Sequence, residues 1–362
     1  MMEPNKKPTL RFRADGTFKI LQLTDLHIGT LTGSLSGRNM TALNLIDTLI
    51  AAEKPDLVAF TGDISTDGSN GDICRIWDRI NAILEKHNTP YTMTYGNHES
   101  DAHTNRPQAI GENLEKYPLS LFACGDPNMG TGNYTVPVLA RDSDKTAWLL
   151  YSIDCHASKF PFPYPDGHKD PREWYTWPTQ LKWIEKTQKA AQAEFGSVPA
   201  IAFNHVPLPE YDEMWMFDGT IGGRWEKTWR PTLNSGLFAL MYRLGDFRGI
   251  FAGHDHTNSF HGYMYGIMLA YGRAGGYQIA CEDYYKRGGR VIVLGEKSGQ
   301  IDDTYIVLHD GSRDEPVVSP PVFDRNCFYD CAFAGGIPVT EEHRKLPEKD
   351  LSSWKLPFPS AE

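Results

Sequence analysis

The chain has 362 residues, 40% hydrophobic and 12% aromatic, with nine Trp and seventeen Tyr; that is enough apolar surface for a large core and excludes global disorder. Its formal charge of -10 excludes a broad basic face for nucleic-acid backbones, which needs clustered Lys and Arg. An anionic ligand would meet a repelling mean field, so a site for one requires strong local positive charge of the kind bound cations supply.

Residues 9–23 read as a hairpin, because alternating apolar positions in LRFR and FKILQL flank an Asp15-Gly16 turn. The second strand runs into Thr24-Asp25-Leu26-His27. After a Gly/Ser-rich loop, Leu43, Ile46, Leu49 and Ile50 recur at helical spacing, and the segment stops before Lys54-Pro55. The strand LVAF ends at Thr61-Gly62-Asp63. Ile76, Ile80, Ile83 and Leu84 mark a second helix, followed by YTMTY and the loop Gly96-Asn97-His98-Glu99. Further strands are expected at 146–154, 199–205, 247–253, 263–272, 290–295 and 304–309, with a helix carrying Leu181, Ile184, Ala191 and Phe195 between the first two.

Early β-α-β units followed mostly by strands predict an α/β protein of packed sheets with helices outside, not one doubly wound sheet. The expected domain covers 9–310. From 311 the chain turns Pro-rich and polar, as expected of a C-terminal extension (311–362) packed on the domain or partly loose. Cys74, Cys124, Cys155, Cys281, Cys327 and Cys331 form no CxxC pair, and buried free thiols are expected. The N-terminus has no apolar signal-peptide core, and no stretch approaches the roughly 20 apolar residues of a membrane span. Compartment, including export after removal of a leader, and oligomeric state stay open.

Five segments carry metal-type donors, each after an apolar strand: Asp25-Leu26-His27, Gly62-Asp63, Gly96-Asn97-His98-Glu99, Asn204-His205 and Gly253-His254-Asp255-His256. Strand ends in a layered α/β structure converge on one edge, where loops gather side chains around a common point. In extended backbone, residues i and i+2 point the same way, so D-x-H and H-x-H can share one cation. Imidazole with carboxylate suits Zn, Mn or Fe, and a carboxylate such as Asp63 can span two cations. Gly62 and Gly253 let backbones approach. A lone His or Asp at a strand end is usually a satisfied polar residue or a turn former, so the inference comes from the ordered set.

That set, D-x-H, G-D, G-N-H-[DE], a lone His and G-H-x-H, resembles the calcineurin-like metallophosphoesterases over about residues 17–310. LQLTDLHIG, NHVPLPEY, GHDHTNSFHG and the late YGR with RGGRVIVL are similar to the purple-acid-phosphatase-like branch. The resemblance implies a four-layer fold, two mixed β-sheets packed face to face as a sandwich flanked by helices. It implies two transition-metal ions (Mn, Fe or Zn), one held by Asp25, His27 and His256, the other by Asn97, His205 and His254, with Asp63 as bridge. It implies that His98 binds the phosphate and protonates the leaving oxygen, while a water held between the cations attacks in line. Thr66 stands where the coloured purple acid phosphatases carry a metal-binding tyrosine, so no tyrosinate colour is expected.

The expected activity is hydrolysis of small phosphate monoesters. Alternatives are a phosphodiesterase acting on cyclic nucleotides or glycerophosphodiesters, and a non-catalytic metal-binding scaffold. Arg273 can reach a substrate phosphate or, more simply, pair with a surface carboxylate. The aromatic, Pro-rich stretch 160–178 is a pocket wall or a packed surface loop. His156, His168 and His261 read as structural or exposed, and Tyr211, Trp215 and Trp225 as core or as shapers of specificity.

Overall fold

The computed structural model describes residues 7–31, 36–65, 70–100, 106–156, 175–278 and 285–322. The chain divides into two compact units, Met1–Pro321 and Val322–Glu362, and the fold that follows is that of the first.

Strands β1 (Leu10–Arg11) and β2 (Thr17–Leu23) flank the Asp15-Gly16 turn, where the Asp15 carboxylate accepts the Thr17 N–H at 2.9 Å and Gly16 takes a φ of 81°. Helix α1 (Ser36–Glu53) buries Leu43, Ile46, Leu49 and Ile50 as one stripe and stops at Lys54, left-handed at φ 47° before Pro55. Then come β3 (Leu57–Thr61), α2 (Asn70–His87) and β4 (Tyr91–Thr94), completing a β-α-β-α-β run. A short 3-10 turn at His98–Ser100 and α3 (Arg106–Leu114) lead to the antiparallel pair β5 (Tyr134–Leu139) and β6 (Thr146–Ile153). Next are α4 (Pro178–Phe195), whose first-turn proline suits a helix start, β7 (Ala200–Asn204), α5 (Glu210–Phe217), β8 (Thr220–Ile221), α6 (Leu237–Leu244) and β9 (Phe247–Ala252). Five strands end the described fold: β10 (His261–Met264), β11 (Ile267–Tyr271), β12 (Gly288–Gly295), β13 (Ile301–Leu308) and β14 (Val318–Ser319).

The strands form two mixed sheets, a nine-stranded one ordered β1-β5-β6-β7-β9-β11-β10-β8-β14 and a five-stranded one ordered β13-β12-β2-β3-β4. Two expectations are corrected. The turn at Asp15-Gly16 exists, but its arms do not make a hairpin: β1 pairs in parallel with β5 in one sheet and β2 with β3 and β12 in the other. Both arms alternate correctly because each lies against the sandwich core, and alternation does not say with which sheet a strand pairs. Residues 263–272 are not one strand either; Tyr265 and Gly266, at φ 48° and 81°, make a tight turn that folds β10 onto β11.

Alternation along β6 shows how the layers stack. Trp148 and Leu150 join Phe203, Phe251 and the five-stranded sheet in the core that continues into α1 and α2. Leu149, Tyr151 and Ile153 point the other way, into a second core closed by Ile184 of α4, Tyr211 and Met214 of α5, and Leu237 and Met241 of α6. The order is helices, five-stranded sheet, nine-stranded sheet, helices. Arg290 of β12, fully buried, ties the sheets together: Nε donates to Tyr271 O at 2.5 Å and NH2 to Ser259 O at 2.8 Å.

Candidate metal centre

Strands β2, β3 and β4 are neighbours and parallel in one sheet, and β7 and β9 are neighbours and parallel in the other. Their C-terminal ends therefore open on one edge. Asp25 and His27 follow β2, Asp63 follows β3, Asn97 and His98 follow β4, His205 follows β7, and His254 and His256 follow β9. The loops are laced to one another: Asp25 N–H donates to Gly62 O at 3.1 Å, His27 N–H to Asp63 O at 2.9 Å, and Gly253 N–H to His205 O at 2.9 Å.

The pairing of Asp25 with His27 does not come from extended backbone, as the i, i+2 argument supposed. Asp25, His27, Asp63 and His254 all take left-handed φ, at 51°, 45°, 53° and 73°. Side chains of adjoining loops converge because each backbone turns sharply just past its strand. Asp and His tolerate this region better than branched residues do. Two glycines make the approach sterically feasible. A Cβ on Gly62 would sit 2.3 Å from the His205 ring, and one on Gly253 would sit 2.0 Å from Thr24 Oγ1.

The donor atoms form a tight cluster. His27 Nε2 lies 3.1 Å from His256 Nε2 and 3.8 Å from Asp25 Oδ1, and His256 Nε2 lies 3.6 Å from the same oxygen. On the other side of Asp63, His205 Nε2 lies 3.1 Å from Oδ2, and that oxygen is 3.7 Å from His27 Nε2. Three triads bring their donor atoms within 4.8 Å of one another: Asp25, His27 and His256; Asp63, His205 and His254; and His27, Asp63 and His98. Bonds of roughly 2.0–2.2 Å to nitrogen or oxygen put neighbouring corners of a coordination polyhedron roughly 3 Å apart, so these spacings suit cations.

Orphaned polar atoms say the same. Asp63 Oδ2, Asn97 Oδ1 and His205 Nε2 are buried without a hydrogen-bond partner, which is costly unless something else satisfies them. His205 Nδ1 donates to Thr61 O at 2.7 Å, so in neutral imidazole the Nε2 lone pair faces the Asp63 carboxylate. Two lone pairs facing each other require a positive charge between or on them. Burial opposes charge on His205, yet Asp63 and Asp25 raise it to about 10; burial likewise opposes ionisation of Asp25, yet His205, His27 and His256 hold it at about 2. The pocket is thus electrostatically arranged for cations. Burial, with His205 alongside, pushes His254 down to about 3, leaving it a neutral donor. The residues present fit divalent metal ions.

Two carboxylates that sequence reasoning quoted but gave no role organise this cluster. Glu99 is buried and accepts three backbone N–H groups, from Asp63 at 2.9 Å, Ile64 at 2.8 Å and Gly96 at 2.6 Å, locking the loop after β3 to the loop after β4. Burial and the nearby Asp63 push it up to about 7. Asp255, between His254 and His256, accepts the Tyr271 hydroxyl at 2.6 Å and the Trp229 N–H at 3.1 Å, and burial pushes it to about 7. The available signal was position: each adjoins a donor in sequence. His98, whose side chain is 38% exposed, is less enclosed; its N–H donates to Asp63 Oδ1 at 2.9 Å and its Nε2 lies 3.9 Å from Asp63 Oδ2.

The remaining candidates stand apart. Arg273 pairs with Asp314 at 3.2 Å, donates to Lys286 O and lies over the Tyr285 ring, as the simpler reading had it. His156 is buried, stacked on Trp177 at 3.6 Å between centroids, with Nε2 2.8 Å from Gln180 Oε1. His261 lies on β10 beside Arg290, and Tyr211 is core. Trp215 packs partly buried against the second core, while Trp225 is exposed. Thr66, His168, Cys281, Cys327, Cys331 and the part of 160–178 before Tyr175 lie outside the described residues.

The model of the family described as calcineurin-like phosphoesterase matches residues 18–258, which span every donor named above. The chain belongs to that family. As a calcineurin-like phosphoesterase it is a phosphoric ester hydrolase, and its substrates are phosphate esters. Among curated relatives, "Probable inactive purple acid phosphatase 29" of Arabidopsis thaliana is 31% identical over 312 residues, covering 79% of this chain and 78% of that one. "Phosphatase DCR2" of Saccharomyces cerevisiae is 29% identical over 271 residues, covering 68% of this chain and 45% of that one. Among solved structures, a dimetal phosphatase from Danio rerio matches with a TM-score of 0.48 and 12% identity, over 84% of this chain and 98% of that one. No helix among the described residues is long and apolar enough to cross a membrane.

Proposed function

We propose that this phosphoesterase is a dinuclear-metal phosphomonoesterase. Asp25, His27 and His256 would hold one ion, Asn97, His205 and His254 the other, and Asp63 would join them; Mn, Fe or Zn suits this mix of imidazole and oxygen. The observation that supports the reading is the place of Asp63, whose buried Oδ2 lies between the two proposed ligand sets, 3.7 Å from His27 Nε2 and 3.1 Å from His205 Nε2. When bound, such ions lower the pKa of water towards neutrality and neutralise charge developing on phosphoryl oxygens.

The rest is the work of the chain itself. Buried carboxylates and neutral imidazoles fix the donor positions, so little reorganisation is needed as charge develops. His98 reaches the cluster from its open side, where it can hydrogen-bond a phosphate oxygen and pass a proton to the departing oxygen.

Elemental analysis paired with hydrolysis assays on para-nitrophenyl phosphate and its bis-ester, both with added Mn, tests this. About two ions per chain and preference for the monoester are expected. Preference for the bis-ester would move the assignment to phosphodiesterase. Fewer than about one ion per chain with neither ester cleaved would favour a non-catalytic role, as the name "Probable inactive purple acid phosphatase 29" states for the Arabidopsis relative.

A further inference from the structure

Trp225 and Trp229 are 67% and 43% exposed, with Leu233 beside them in sequence at 51%. Two indoles left in solvent four residues apart call for a reason. The backbone that carries them is tied down by ion pairs and hydrogen bonds. Asp212 of α5 closes the base of the loop, pairing with Arg224 at 2.7 Å through one oxygen and with Arg230 at 2.9 Å through the other. Between those arginines, Trp225 and Glu226 donate their N–H groups to Asn258 Oδ1 at 3.0 and 3.2 Å, and Trp229 donates to Asp255. In return Thr257 donates its N–H to Glu226 Oε1 at 2.7 Å and its hydroxyl to the same oxygen at 2.9 Å. Asp255 and Asn258 are buried, so these anchors are rigid.

The location follows from the anchors. Asp255 lies between His254 and His256, and Thr257 follows His256 directly, so the turn that supplies two donors of the cluster also positions the indoles. The rings are oriented too. A Cβ on Gly223 would lie 2.3 Å from Trp225 Nε1, so the indole rests on glycine backbone. The Lys227 ammonium lies over the Trp229 ring, 3.6 Å from its centroid, so one face of that indole carries positive charge.

We propose that Trp225 and Trp229 form a stacking platform for the organic part of the substrate, and that the phosphate esters this protein takes carry a planar ring, aryl or nucleobase, on the side flanked by His254 and His256. The assignment rests on the reading of the centre given above. A bare phosphate needs only the cluster, and a flexible alkyl group gains little from a flat indole. A planar ring gains from both its area and its electrostatics against an exposed indole. Lys227 suits the negative charge such an ester carries.

The test compares phenylphosphonate with methylphosphonate, neither of which is hydrolysed, binding to the metal-loaded full chain by calorimetry. The phenyl compound is expected to bind about tenfold more tightly, and Trp225→Leu or Trp229→Leu to remove most of that preference. Trp225→Phe should restore much of it, which a merely structural tryptophan would not require. Tyr242→Ala, an exposed aromatic on α6, should leave the ratio as it is. Equal binding of the two phosphonates, or a preference that survives both leucine variants, would overturn the platform while leaving the metal centre intact. Ring preference with tryptophan dependence in a protein that cleaves no ester would uphold the platform and overturn the hydrolytic reading. Failure of either phosphonate to bind at millimolar concentration would overturn both.

Discussion

The two halves of the centre use the same device for different ends. On the five-stranded side, Glu99 is a buried carboxylate one residue past His98, and it binds the loops carrying Asp63 and Asn97 to each other. On the nine-stranded side, Asp255 is a buried carboxylate between His254 and His256, but it grips Trp229 and Tyr271, which are not donors. One half is braced internally. The other is braced against the segment that borders it. A buried carboxylate can therefore set the geometry of a cluster or the position of its surroundings, depending on whose hydrogens it accepts.

The largest effect is expected at the residue both halves share. Asp63→Ala should abolish turnover and cut metal content from about two ions per chain to fewer than about one, measured by elemental analysis of the folded variant. A variant that kept both ions would dissolve the idea of a shared centre. Next comes His98→Ala, which should retain both ions and lose about 10²–10⁴-fold in turnover on an ester with a poor leaving group. Full turnover would remove His98 from proton transfer.

Glu99→Gln should follow, with about 10–100-fold weaker metal affinity in a chelator competition, because an amide cannot accept three N–H groups as a carboxylate does. Asp255→Asn should cost about tenfold or less in the same assay, while altering discrimination between ring-bearing and alkyl esters. Equal losses of metal affinity in the two variants would break the comparison between the halves.

Much of this was legible in the chain because each donor follows directly on an apolar strand. The runs before Asp25, Asp63, Asn97, His205 and His254 are β2, β3, β4, β7 and β9, and within each sheet these strands are parallel and end on the same side. The helical stripe of Leu43, Ile46, Leu49 and Ile50 was equally plain. Less visible was anything decided by partners distant in sequence. Nothing in LRFR tells that β1 will pair with Val138 and Leu139, more than a hundred residues on. Nor does GNHE reveal that its glutamate reaches back to Ile64, or GHDH that its aspartate holds Trp229. The Tyr265-Gly266 turn was hidden because tyrosine seldom takes left-handed backbone, so an unbroken apolar run read as one strand.

That same unusual backbone has a thermal consequence. Asp25, His27, Asp63 and His254 each sit in a conformation that disfavours an L-residue by on the order of 1 kcal/mol, and they crowd like-charged or lone-pair atoms together as well. Removing the cations should leave this edge the first part of the sandwich to open. Because a ligand bound only by the native state adds stability in proportion to the logarithm of its concentration, Tm should climb as metal is titrated into the stripped protein. Calorimetric scans would then turn the melting curve of this chain into a gauge of how well it is supplied with metal.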